Sequence, residues 1–287
     1  MRLSACLSLS LFAIPFGECF ADQRGSPVLV VPLRILDDSP YLKVQINESA
    51  PLWFILDSGA SACVLDKSYC EKVGIPFKGK RQGTGAGAGS VDFFFIENIR
   101  FAISGLTMKF DQAYGIDLAG AGTPKEVKLV GILGYDFFRR WIVVIDYPHA
   151  SLTLYDPKTF TYDGKGESLP LVFKKKTPFV KGSIQVPGHS PKSDREWLVD
   201  TGSSDTLNDD LLAATTGPKK RLMGGHGLGQ EFPIWQATAD EIRLGQLRFS
   251  SVVGYSGGMK IGGGLLRQFK VIFDYPGSRM ILEPAGS

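Results

Sequence analysis

The chain is short of the residues that most catalytic and binding chemistries require. It has three histidines in 287 residues: His149 after a Tyr-Pro turn, His189 in a loop flanked by Pro and Gly, and His226 among glycines. None stands in a recognisable triad context, so the string Gly254-Tyr-Ser-Gly-Gly258, which fits G-x-S-x-G, lacks the partners that a nucleophilic Ser256 would need. Cysteines number four, and no His/Cys/Asp/Glu cluster has zinc-ligand spacing, so no metal site is expected. Excess charge of one sign is also missing. The net charge is +3 and the basic run Lys174-Lys175-Lys176 is read as a solvated loop, so nucleic acid is excluded as a partner. After Phe16 no apolar run is long enough to cross a bilayer, so no stable membrane insertion is expected. A cofactor is not expected either. Gly83-Thr-Gly-Ala-Gly-Ala-Gly can be forced onto a dinucleotide pattern, but it is preceded by Lys78-Gly-Lys-Arg-Gln and followed by Val91-Asp-Phe-Phe-Phe, which suits a hairpin rather than a strand-to-helix turn.

What is present is glycine, 34 residues of it, beside many aromatic and β-branched residues, which favours short strands and tight turns. Arg2, the apolar run Leu3–Phe16 and the ending at Ala21 read as a signal peptide over residues 1–21, cleaved before Asp22. A lipid anchor on Cys19 is disfavoured because Glu18 precedes it. The mature protein is then expected to be exported, to the periplasm or the extracellular medium. Cys63 and Cys70 remain after cleavage, and their spacing leaves a disulfide and two buried thiols equally open.

The rest of the chain repeats itself. Phe54-Ile-Leu-Asp-Ser-Gly-Ala-Ser61 and Trp197-Leu-Val-Asp-Thr-Gly-Ser-Ser204 share one plan: three apolar residues, Asp, a hydroxyl residue, Gly. Each is preceded by an alternating strand, Tyr41–Asn47 and Phe179–Val186. Each is followed by a short helical segment, Asp66–Val73 and Asn208–Thr215, and then by a glycine-rich stretch, Gly83–Ser90 and Gly224–Gly229. Each half closes on Asp-Tyr-Pro, and 12 residues separate Gly134 from Asp146 and Gly262 from Asp274. Equal spacing with shared chemistry indicates duplication. The organisation that follows is a first half over 22–157, a connection over 158–177 rich in Gly and Pro, and a second half over 178–287.

An apolar run places each Asp at the end of a buried strand, and the following Gly allows a sharp turn and close backbone approach. If the halves meet about a pseudo-two-fold axis, Asp57 and Asp200 face one another. Carboxylates about 3 Å apart cannot both ionise, so one acts as a base on water while the other donates a proton.

With these features the chain resembles the aspartic proteases, both pepsin-like and retropepsin-like. Asp57-Ser58-Gly59 and Asp200-Thr201-Gly202 match the catalytic triplets, and Ile132-Leu133-Gly134 matches the apolar-apolar-Gly element beneath the active loop. Lys260-Ile261-Gly262 departs from it at Lys260. The resemblance implies an all-β fold of two similar β-barrel-like lobes with a cleft between them. It implies an aspartic endopeptidase acting on protein or peptide substrates as a monomer, with a catalytically silent peptide-binding protein as the alternative. It also implies that Ser58 and Thr201 brace the loops, and that the glycine-rich stretches form a flap, with Gly83, Gly85 and Gly87 the better candidates. Ser203 follows Gly202 where Ala60 follows Gly59. A Ser203 hydroxyl donating to Asp200 would bias that residue to the ionised, base role.

Overall fold

A computed structural model describes residues 25–84, 90–224 and 231–284. The proposed leader, with Cys6 and Cys19, lies outside the described residues, as do Gly85, Gly87 and His226.

The two apolar runs before the aspartates form the strands Leu52–Leu56 and Lys192–Asp200. Each lies parallel to a strand from the end of its own half. Ile55 pairs with Ile132 and Leu56 with Leu133 in one; Val199 pairs with Ile261 and Asp200 with Gly262 in the other. Leu129–Leu133 is buried along its whole length, as an unbroken apolar run at the centre of a sheet should be. After each of these strands comes a one-turn helix, Tyr135–Phe138 and Gly263–Leu266. The helix Lys67–Val73 starts where the Asp66 carboxylate accepts from the Tyr69 N–H at 2.9 Å, and it ends on Gly74 at φ 75°. Its counterpart is Leu211–Ala214. The Lys174–Lys176 run makes a hairpin turn, with φ of 49° at Lys175 and 68° at Lys176.

The expected all-β molecule of two similar barrels needs correction. Among the described residues four short helices punctuate the strands, and the sheets are unequal, one of 13 strands and one of 8. The larger sheet draws strands from both halves of the chain, and of the two it is the one that closes into a barrel. The physical reason lies in the closing strands of the two halves. Ile142–Asp146 is buried throughout and Phe269–Asp274 nearly so. Left apart, each would present a bare apolar edge. Instead they pair with one another, Val143 with Phe273 and Ile145 with Val271, and fuse the halves into one sheet. The segment 158–177 contributes its own strand, Glu167–Lys174, which pairs with Arg279–Pro284 and Thr177–Gln185.

The main core runs continuously through both halves, from Phe54, Leu56 and Phe101 to Trp197, Phe273 and Leu282. Cys63 and Cys70 are buried in it as two separate thiols, and burial pushes each up to about 12. Among the described residues no helix is long and apolar enough to cross a membrane.

Candidate active site

The duplicated phrases meet through their backbones. Thr201 Oγ1 donates to the Leu56 carbonyl at 2.7 Å and accepts from the Ser58 N–H at 2.9 Å. Reciprocally, Ser58 Oγ donates to the Val199 carbonyl at 2.7 Å and accepts from the Thr201 N–H at 3.0 Å. Both side chains are fully buried. Four bonds of this kind leave the two loops little freedom to slide, because displacing either would strand buried polar groups.

The glycines explain how the carboxyls come together. A methyl group added at Gly202 would lie 2.6 Å from Cγ of Asp57, and one at Gly59 would lie 3.0 Å from Cγ of Asp200. Each aspartate therefore crosses over the glycine of the opposite phrase, where only a missing Cβ leaves room. Gly134 and Gly262 lie under the loops on the same principle: a Cβ there would press on the Ala62 carbonyl at 2.2 Å and the Asp205 carbonyl at 2.5 Å, respectively.

The two carboxyls are in hydrogen-bond contact but have different surroundings. Asp57 Oδ1 accepts from the Gly59 N–H at 2.8 Å and the Ala60 N–H at 3.0 Å. Burial, reinforced by the charge of Asp200, nevertheless raises Asp57 to about 8. Asp200 Oδ1 accepts from the Gly202 N–H at 3.1 Å, and its Oδ2 lies 3.9 Å from Nζ of Lys260. Such a pair titrates as a unit. Burial and the neighbouring Asp200 charge both favour the protonated form of Asp57.

Ser203 does not play the part expected of it. Its hydroxyl accepts from the Asp205 N–H at 3.3 Å, and no bond from it to the Asp200 carboxylate exists among the described residues. Ser256 is not a free nucleophile: its buried hydroxyl accepts from the Trp235 N–H at 2.8 Å. His149 contacts Asp146 and His189 contacts the Ala214 carbonyl, so neither stands beside Ser256.

A cavity of about 420 Å³ opens over the two aspartates. Tyr41, Ile55, Leu129 and Ile132 give it an apolar wall from the first half. Ser203, Asp205, Asn208 and Lys260 give it a polar wall from the second. Leu222, Met223, Phe232 and Ile234, on the second-half hairpin of Lys219–Gly224 with Phe232–Leu244, line it as well. Gly83, on the hairpin the sequence favoured as flap, pairs with Val91 and is not among the residues that line the cavity.

Some contributors went unread in the sequence. The Tyr275 hydroxyl donates to the Ser58 carbonyl at 2.9 Å, so the repeated Asp-Tyr-Pro supports the dyad loop as well as turning the chain. Tyr147, its counterpart, is buried with its hydroxyl unpartnered among the described residues, and the nearby aspartates add to the burial that holds it neutral. Ser39 Oγ donates to the Gly202 carbonyl at 3.3 Å, a further tie between halves. Among the described residues no group of three or more His, Cys, Asp or Glu side chains is placed to hold a metal ion.

A family model described as aspartyl protease matches residues 42–137. The match takes in Asp57-Ser58-Gly59 and Ile132-Leu133-Gly134, about one third of the chain, and ends before the second phrase. Residues 42–137 are thus an aspartyl-protease-like domain. A search among curated proteins returns no match.

Proposed function

We propose that the chain is an aspartic endopeptidase in which Asp57 and Asp200 activate water for peptide-bond hydrolysis. The observation that carries this reading is the contact of the two aspartates across reciprocally bonded loops, with a cavity lined by both. In this reading Asp200, the charged member, takes a proton from a water molecule as the water oxygen bonds to the scissile carbonyl carbon. The carbonyl π pair moves to its oxygen, which takes the Asp57 proton. Collapse of the tetrahedral intermediate returns a proton to Asp57, breaks the C–N bond and sends a proton from Asp200 to the leaving amine. The atoms balance as water plus amide giving acid plus amine, and the dyad ends as it began.

The cavity's volume and its apolar lining suit an extended peptide with bulky side chains. Action outside the cytoplasm, from the leader read over residues 1–21, and action as a monomer, since both aspartates come from one chain, belong to the same proposal. The test is digestion of a mixed peptide library by the wild type, Asp57→Asn and Asp200→Asn between pH 3 and 8. Cleavage by the wild type alone supports the dyad. Cleavage that survives both substitutions removes it. A folded wild type that binds peptides and cuts none would favour a silent binding protein.

A further inference from the structure

Lys260 stands where the first half has Ile132 beneath its own active loop. On the strand Lys260–Gly262 it faces Leu198 on one side and Asn208 on the other, and it is the cation nearest the dyad. Its Nζ lies 3.9 Å from Asp200 Oδ2 and 3.2 Å from Asp205 Oδ2, with the side chain mostly buried in the cavity wall. The other charged groups around the dyad are acidic or neutralised. Asp37 lines the cavity, Asp38 is paired with Arg267 at 3.3 Å, and Tyr41, Tyr147 and Tyr275 are held neutral by burial. Asp57 has no cation of its own among the described residues; its side is the apolar wall of Ile55 and Ile132.

We propose that Lys260 is the positioning residue that assigns the two dyad roles, its ammonium holding the single negative charge at Asp200 and leaving the proton on Asp57. The loops themselves are near-symmetric, each with a hydroxyl and a glycine doing the same work on opposite sides. The amide donors alone would favour charge on Asp57, which accepts two N–H bonds where Asp200 accepts one. An ammonium beside Asp200 only pulls the charge the other way, and it also favours the singly ionised dyad over the doubly protonated one. Asp205 opposes this, since it draws on the same ammonium and places a second carboxylate nearby. Lys260 and Asp205 therefore act as a pair that sets the lower pH limit of the charged dyad. The assignment rests on the dyad proposed above, but its test does not require turnover.

The dyad is titrated by carbon NMR with ¹³C-carboxyl-labelled aspartate in the wild type, Lys260→Met, Lys260→Arg and Asp205→Asn, with circular dichroism as the check on folding. In Lys260→Met the pH at which the dyad loses its charge rises by about one unit, the low end for one opposite charge at this range. Lys260→Arg keeps the wild-type midpoint, and Asp205→Asn lowers it. A midpoint unmoved in both Lys260→Met and Asp205→Asn overturns the proposal, and so does an equal rise in Lys260→Arg. If Lys260→Met does not fold, the direction of the Asp205→Asn shift decides. A wild type without peptidase activity would remove the protease reading while leaving this titration to decide where the charge lies.

Discussion

Thr201→Val tests whether the cross-loop bonds hold the two aspartates in place. Valine keeps the shape of the side chain, so no cavity cost enters. It removes one oxygen that serves two buried backbone groups: the Leu56 carbonyl, which loses its donor at 2.7 Å, and the Ser58 N–H, which loses its acceptor at 2.9 Å. Thr201 has no solvent exposure, so water does not replace the lost partner. A buried polar group left unpaired costs about 1–3 kcal/mol, and with two such groups the expected loss is about 2–6 kcal/mol. The urea midpoint, read at constant m-value, should fall accordingly. Thr201→Ser keeps the oxygen and loses only a methyl group, and should cost about 1 kcal/mol. Activity should fall about 100-fold or more in the valine variant, because small misplacements of reacting groups are expensive. A loss below about 0.5 kcal/mol in Thr201→Val, or equal losses in the two variants, would refute the reasoning.

Gly202→Ala sets a methyl group 2.6 Å from Cγ of Asp57, so activity should fall at least 100-fold while circular dichroism stays that of the wild type; an active alanine variant would show that the carboxyl can move aside. The folded protein raises Asp57 from 3.8 to about 8, so the stability associated with its protonated form is complete below about pH 4 and lost as pH rises through about 8. The melting temperature of the wild type should therefore decline relative to Asp57→Asn between those limits, and a difference that stays constant with pH would contradict the shift.

Much of the site could be read from local sequence because its requirements are local. An apolar run ending in Asp, a hydroxyl and a Gly each act within a few residues, and the copy in the second half supplied the partner. The Asp66 cap and the Gly74 stop likewise mark the helix between them. The 12-residue spacing from Gly134 to Asp146 and from Gly262 to Asp274 reappears as two parallel strand pairs and two closing strands. What local pattern could not supply was which edges would join. Two buried strands from different halves found each other, so the molecule has one shared sheet and a smaller one in place of two matching barrels. Both glycine-rich stretches announce a hairpin, and pattern alone does not show that Met223 and Phe232 beside the second one line the cavity.

The asymmetry of the dyad shows where sequence reading stopped. Ala60 against Ser203 was the visible difference, and a hydroxyl beside a carboxylate suggested a donor. The structure gives that hydroxyl to the Asp205 N–H. The difference that reaches Asp200 is Lys260, which in sequence registered only as a poor match to an apolar position. A lysine on a buried strand normally carries its charge out to water along its flexible stem. At Lys260 the neighbours across the strands are Leu198 and Asn208, and two carboxylates lie within reach, so the charge stays inside. A duplicated frame sets two aspartates face to face; the proposed hydrolysis needs one that is charged and one that is not. A substitution that spoils the repeat at one place, next to one aspartate, is the simplest way to obtain that difference without disturbing the loops that hold both.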